Sequence, residues 1–188
     1  MSIVWKWCLI LLIGVLSIVC AVAYTAGPFP LAYRGLGDLF AFVFFGLVAV
    51  MGTYYLQADQ FTPASFTASL PNALFATCII VVNNLRDMDT DRAAGKHTLA
   101  VRIGDRATRV EYTLMLTAAY LVPLALRASD VLQGWSWLLP WASGPVAFTL
   151  ARELWRAPRS PALNPILGRT AQLNLIFSAL FSAALLLG

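Results

Sequence analysis

One stretch of this sequence, NNLRDMDTDRAAGKHT at residues 83–98, combines many polar side chains with the end of an apolar segment. If the preceding helix continues through it, Asn84, Asp87 and Asp91 recur at i, i+3 and i+7 and share one face. Asp89 then points away from that face. Carboxylate and amide oxygens are ligands that Mg²⁺ and Ca²⁺ prefer. The spacing therefore predicts a hard-cation site built from Asp87, Asp91 and Asn84.

Basic side chains accompany these acids, at Arg86, Arg92 and Lys96. Clustered carboxylates repel one another unless cations balance them. Magnesium commonly completes its coordination shell with substrate phosphate oxygens, and Lys and Arg bind the remaining oxygens. The residues thus indicate a magnesium and diphosphate site, in which Arg86, Arg92 and Lys96 contact the diphosphate. A solvated salt-bridge network at a helix end would have a similar composition, and the spacing leaves that alternative open.

The elements that must position this cluster are membrane helices. The chain is 60% hydrophobic and only 12% charged, with a mean hydropathy of +0.74, whereas soluble domains are about 45–50% apolar and about 25% charged. We predict an all-α, polytopic transmembrane bundle of about six helices. The predicted spans are residues 3–24, 39–57, 66–82, 110–126, 135–154 and 172–187.

Basic residues predict the orientation of the bundle, because Lys and Arg accumulate in cytoplasmic loops. They are concentrated in the loops after the third and fifth predicted spans, and Arg34 follows the first span. Only Lys6 and Arg127 lie on the opposite side. We therefore expect a multi-pass protein of the inner membrane, with the Asp-rich loop in the cytoplasm and both chain ends outside. The net charge of +4 then reflects topology, and nucleic acid is not an expected partner.

Three stretches resemble the UbiA-type intramembrane aromatic prenyltransferases. Residues 83–104, NNLRDMDTDRAAGKHTLAVRIG, are similar to that family's second Asp-rich motif, N-x-x-R-D-x-x-x-D followed by A-G-K-x-T-L-A-V. Residues 24–38, YTAGPFPLAYRGLGD, resemble in particular the 1,4-dihydroxy-2-naphthoate polyprenyltransferases of menaquinone synthesis. The last span, with Gly168-Arg169-Thr170 and Asn174, is similar to the closing helix of the family.

The resemblance implies transfer of a polyprenyl group from polyprenyl diphosphate to an aromatic acid in the membrane, 1,4-dihydroxy-2-naphthoate, with decarboxylation, in menaquinone biosynthesis. It also implies Mg²⁺ as cofactor. It implies that Asp87 and Asp91 hold metal and that Asn84 supports this shell. Lys96, with Arg86 or Arg92, would bind the diphosphate.

Tyr24 and Tyr33 flank the GPFPLA loop and are the further candidates. In such an enzyme they would line the substrate pocket and shield an allylic cation by cation–π contact. Packing of these rings within the fold is the competing interpretation.

Members of this family are similar in having nine transmembrane helices and two Asp-rich motifs. This sequence contains only part of that arrangement. No first motif, N-x-x-x-D-x-x-x-D, occurs here. We interpret residues 1–188 as one N-terminally truncated domain corresponding to helices four to nine. A truncated gene, a misassigned start and a separate polypeptide partner that supplies helices one to three are the explanations left open. Prenylation of 4-hydroxybenzoate or a similar acceptor, and an inactive six-helix fragment, remain as alternatives.

Overall fold

The computed structural model describes residues 3–25 and 31–188, with the side chains of residues 3–7, 9, 21, 23–25 and 31–32 left out. Within this part of the chain every regular element is helical and none is a strand. The prediction of an all-α bundle is therefore confirmed.

Nine α-helices are connected by short 3₁₀ and π segments within the described part of the chain. The α-helices are α1 Ile3–Thr25, α2 Gly37–Phe40, α3 Ala49–Ala58, α4 Pro63–Arg86, α5 Met88–Ala93, α6 Leu99–Ile103, α7 Asp105–Ala128, α8 Gly144–Arg156 and α9 Asn164–Leu187. A π-helical segment, Ala41–Val48, joins α2 to α3, and 3₁₀ segments cover Leu31–Arg34, Ser136–Ser143 and Pro161–Leu163.

Three helical stretches of the described residues are long and apolar enough to cross a membrane: Gly37–Ala58, Pro63–Arg86 and Pro161–Leu187. They contain the second, third and sixth predicted spans. The first predicted span lies in α1, where a shorter apolar helix covers Ile10–Cys20, and the fourth lies in α7.

The fifth predicted span, residues 135–154, is not a single α-helix. It consists of the 3₁₀ segment Ser136–Ser143 followed by α8, which begins at Gly144. Pro140 lies inside the 3₁₀ segment and Pro145 lies in the first turn of α8. Because proline has no N–H to donate and clashes with the preceding turn, it favours a helix start over a helix interior.

The central helix of the bundle is α4, which packs against α7, α9 and the π segment. Its first turn is fixed by a reciprocal cap, in which the Ser65 N–H donates to Thr62 Oγ1 at 3.0 Å and the Thr62 N–H donates to Ser65 Oγ at 3.1 Å. Deeper in the bundle, the Phe177 ring on α9 lies 5.1 Å from Phe75 and 5.0 Å from Tyr120, centroid to centroid. This aromatic cluster joins α4, α7 and α9.

A close backbone contact holds the span Gly37–Ala58 against α4. A Cβ placed on Gly46 would overlap the Cα and Cβ atoms of Ala73, so only glycine allows this approach. One residue away on each helix, Asn72 Nδ2 donates to the Phe45 carbonyl at 3.0 Å. The contact aligns the beginning of this span with the end of α4, where the polar cluster lies.

Candidate functional site

The Asp-rich segment is two helices joined at Asp87. Helix α4 ends at Arg86, and Asp87, with φ −94° and ψ 6°, separates it from α5. The prediction that one helix continues through the motif is therefore wrong at this residue. Asp87 pairs with its immediate neighbour Arg86, and adjacent residues do not face each other in an uninterrupted helix. The break is small, because the Asp87 N–H donates to Asn83 O at 3.1 Å and the Asp91 N–H donates to Asp87 O at 2.8 Å.

Asp91 carries a buried carboxylate that is only half satisfied. The residue is 9% exposed, and its Oδ1 lies 3.2 Å from the Lys96 ammonium. Among the described residues, its Oδ2 is the one buried side-chain oxygen or nitrogen without a hydrogen-bond partner. The Lys96 N–H also donates to the Asp91 carbonyl, at 2.8 Å, which folds the loop after α5 back onto the acid. An unpaired buried carboxylate oxygen is unfavourable unless a cation or donor completes it.

Asp87 is held by a two-point contact with Arg86. Arg86 Nε donates to Oδ1 at 2.7 Å and Nη2 donates to Oδ2 at 2.6 Å. This guanidinium holds the pKa of Asp87 below its ordinary value against the opposing effect of partial burial, and the charge of Lys96 adds to the effect. Asp87 is therefore ionised at neutral pH, which is the form that binds a cation.

Arg86 is also bound to two amides, because it donates to Asn83 Oδ1 at 2.8 Å and to Asn164 Oδ1 at 2.7 Å. Asn164 is the first residue of α9. Arg86 thus connects the end of α4 to the beginning of α9 while it fixes the Asp87 carboxylate.

Asn84 is buried at the end of α4 and is bonded to a residue that the sequence analysis did not select. Its Nδ2 donates to Asp38 Oδ1 at 3.3 Å, and both residues are 4% exposed. Asp38 is the last residue of the naphthoate-type stretch and lies at the start of an apolar span. An ionisable residue in such a span is a functional candidate in its own right, and that signal was present in the sequence.

Asp89 and Arg92 lie on the outside of α5. The Asp89 side chain is 62% exposed and pairs with Arg92 at 3.9 Å and with Arg159 at 3.2 Å. The structure therefore does not bring Arg92 or Asp89 to the buried side of the cluster, where Asp91 and Asn84 lie.

Tyr33 is the tyrosine candidate whose side chain the structure describes. The Tyr33 side chain is exposed, and its carbonyl accepts a hydrogen bond from the His97 N–H at 3.0 Å. The loop before α2 thus lies against the loop after α5. The Tyr24 side chain lies outside the described residues.

The residues present fit a magnesium ion better than a metal bound only by protein ligands. In the described ranges, no three His, Cys, Asp or Glu side chains surround a common point. Magnesium takes one or two carboxylates and keeps several waters or phosphate oxygens. The two carboxylates of Asp87 and Asp91, of which Asp91 has an unpartnered Oδ2, and the Asn84 amide agree with that preference.

The sequence is similar to one family of known proteins. Residues 4–176 match the UbiA prenyltransferase family. A Haemophilus influenzae protein named 1,4-dihydroxy-2-naphthoate octaprenyltransferase is 37% identical over 94% of this chain and 57% of its own length. An Escherichia coli protein of the same name is 41% identical, over 91% of this chain and 55% of its own length. A Mycobacterium leprae protein, also of that name, is 35% identical over 95% of this chain. The chain therefore spans little more than half the length of these relatives.

Proposed function

Since the chain belongs to the UbiA prenyltransferase family, we propose that it transfers a polyprenyl group from polyprenyl diphosphate to 1,4-dihydroxy-2-naphthoate in menaquinone biosynthesis. The names of its relatives support the acceptor and the reaction. One structural observation supports the site: a buried, half-satisfied Asp91 carboxylate beside the Lys96 ammonium, one helical turn after Asp87 and next to the end of a membrane helix. The family and the apolar helices identify a multi-pass membrane protein. A cytoplasmic position for the Asp-rich loop stays part of the proposal.

We assign the metal to Asp91 and Asp87, with Asn84 as the supporting ligand. A magnesium ion bound there supplies positive charge that stabilises a leaving diphosphate. Asp87 is already ionised and held in one orientation by Arg86, and Asp91 offers an oxygen that has no other partner. Asp91 can therefore bind a cation through its free Oδ2, whereas both oxygens of Asp87 accept from Arg86, so Asp87 must share or release those contacts to bind the same cation.

Lys96 is the first residue we assign to the diphosphate itself. Its ammonium lies 3.2 Å from Asp91, so it is placed beside the proposed metal ligand. Arg86 and Arg92 are the further candidates. Arg86 would have to exchange its contacts with Asn83 and Asn164, and Arg92 would have to turn inward from its exposed position.

The reaction proposed at this site is an electrophilic substitution with decarboxylation. The allylic C–O bond of the donor breaks and its electron pair leaves with the diphosphate. The electron-rich ring carbon bonds to the allylic carbon. The carboxylate on that ring carbon leaves as carbon dioxide, and the electron pair of the broken carbon–carbon bond restores the aromatic ring.

The bundle also offers space for the lipid tail of the donor. A cavity of about 570 Å³ lies between α3, α4 and α9, toward the ends of these helices that are distant from the Asp-rich loop. Its lining is mostly apolar and includes Val50, Ala68 and Phe181. We propose that the polyprenyl chain extends from the Asp-rich loop into this region.

Prenyl transfer in isolated membranes tests the proposal. Membranes containing the chain, alone or co-expressed with a polypeptide that supplies the remaining helices, receive polyprenyl diphosphate, Mg²⁺ and either 1,4-dihydroxy-2-naphthoate or 4-hydroxybenzoate. Mass spectrometry should detect the decarboxylated naphthoate product. Asp91→Asn and Asp87→Asn should abolish it, whereas Asp130→Asn, in an exposed loop, should not.

The outcomes separate the alternatives. Product from 4-hydroxybenzoate alone would overturn the acceptor assignment. No product from either preparation, in a chain that still binds Mg²⁺ and diphosphate, would identify the inactive fragment.

A further inference from the structure

Asp38 is a buried carboxylate to which the proposed reaction assigns no task. It lies in the first turn of α2, at the start of an apolar span, and is 4% exposed. A carboxylate in such a place is unfavourable unless it has specific partners. Asn84 is such a partner, because its Nδ2 donates to Asp38 Oδ1 at 3.3 Å.

The chain before Asp38 is fixed against the Asp-rich loop at two further points. The Tyr33 carbonyl accepts a hydrogen bond from the His97 N–H at 3.0 Å. Gly35 has φ +74°, and a Cβ there would lie 3.0 Å from Arg102 Nε and 3.1 Å from the His97 carbonyl oxygen. The contact of Gly46 with Ala73 of α4 fixes the same span at a point after Asp38. Asp38 therefore occupies a defined place beside Asn84.

The direction of this hydrogen bond determines how Asn84 is oriented. An ionised carboxylate can only accept, so Asn84 must turn its NH₂ group toward Asp38. The amide oxygen of Asn84 is then directed away from Asp38. A cation binds an amide only through that oxygen, and a residue that orients a metal ligand can change metal affinity strongly without touching the metal.

We propose that Asp38 is a positioning residue, which fixes the Asn84 amide with its oxygen available to the magnesium ion. This inference rests on the proposed function, because it assumes that Asn84 belongs to the metal shell. Asp38 acts through Asn84 and needs no contact with substrate.

Magnesium binding measured without catalysis tests this inference. The full chain in detergent micelles is titrated with Mg²⁺ in the presence of inorganic diphosphate, and the thermal unfolding temperature gives the Mg²⁺ concentration for half-maximal stabilisation. Asp38→Asn should raise that midpoint by about tenfold or more, within the range typical of residues that support metal ligands. The amide at position 38 can present either its oxygen or its NH₂ group, so it no longer dictates how Asn84 is turned.

Two further variants make the test specific. In the swapped pair, Asp38→Asn with Asn84→Asp, the new amide donates to the new carboxylate, and one carboxylate oxygen remains for the metal. This double variant should have a midpoint at or below that of the wild type. Asp130→Asn removes an exposed aspartate from a distant loop and should leave the midpoint unchanged.

Each outcome is decisive. A midpoint in Asp38→Asn equal to that of Asp130→Asn would overturn the positioning inference. So would a swapped pair that remains as weak as the single variant, since Asp38 would then act by another route. If Asp38→Asn does not fold, the swapped pair still decides, because a raised midpoint there contradicts positioning. A wild-type chain that shows no stabilisation by Mg²⁺ would overturn the proposed metal site itself, and the inference with it.

Discussion

Replacing Gly46 by alanine should loosen the contact that aligns the span Gly37–Ala58 with α4. The added methyl group would overlap the Cα and Cβ atoms of Ala73 and lie 2.9 Å from its backbone nitrogen. Because these are mainly backbone atoms, no side-chain rotation can relieve the overlap, and the two helices must separate.

The size of the effect follows from two opposing terms. Overpacking of this kind costs about 1–3 kcal/mol, and replacing glycine inside a helix gains about 0.5–1 kcal/mol. Because the overlap reaches backbone atoms of Ala73, the cost lies in the upper part of its range, about 2–3 kcal/mol. The net loss is then about 1–2.5 kcal/mol, which corresponds to a fall in the unfolding temperature of roughly 2–10 °C for a chain of this size.

Gly52 offers a matched control on the same span. A Cβ on Gly52 meets no atom within 4 Å, so Gly52→Ala should keep only the favourable term and raise the unfolding temperature by roughly 1–4 °C. The two substitutions are chemically identical and should have opposite signs.

A thiol-reactive dye can report unfolding through Cys78, which is fully buried in α4. Cys8 is exposed and Cys20 is partly exposed, so both are first replaced by serine to leave one reporter. Thermal scans in detergent micelles then compare Gly46→Ala with Gly52→Ala. Shifts of the same sign in both variants would refute the packing argument.

The remaining predictions concern the core and the beginning of α7. Phe177→Ala should destabilise the protein by about 3–5 kcal/mol, as seen in the same thermal scan, because its fully buried ring contacts Phe75 and Tyr120. Asp105→Asn should destabilise the protein at neutral pH, because hydrogen bonds from Arg109 lower the pKa of Asp105 below 3.8. A carboxylate whose pKa is lower in the folded than in the unfolded chain stabilises the fold at pH values above its unfolded pKa. This stabilisation is lost as the pH falls through the folded pKa. Denaturation measured across a pH series should therefore show the two proteins converging below pH 3.8.

Part of this architecture could be predicted because it depends on local sequence. Long apolar runs predict membrane helices, and three of the predicted spans coincide with helices that are apolar enough to cross a membrane. Helical spacing separated Asp89 from Asp91, and the break at Asp87 is too small to reverse that separation, since the backbone hydrogen bonds resume on both sides of it.

Other features could not be predicted because they depend on residues distant in sequence. Asp38 and Asn84 are 46 positions apart, and Arg86 reaches Asn164 across 78 positions. No periodicity within one helix indicates such pairs. The broken fifth span is a different case, because Pro140 and Pro145 are visible in the sequence and favour a helix start over one continuous helix.

Asp87 and Asp91 are proposed to hold a divalent cation, and Asp89 is not. Binding of Mn²⁺, a paramagnetic ion with similar oxygen ligands, can be measured by electron paramagnetic resonance on the full chain in micelles with inorganic diphosphate present. We expect Asp91→Asn and Asp87→Asn to lose binding, and Asp89→Asn to retain it because this side chain is exposed and paired with Arg159. Equal losses in all three variants, or no binding by the wild-type chain, would overturn this assignment of the metal ligands.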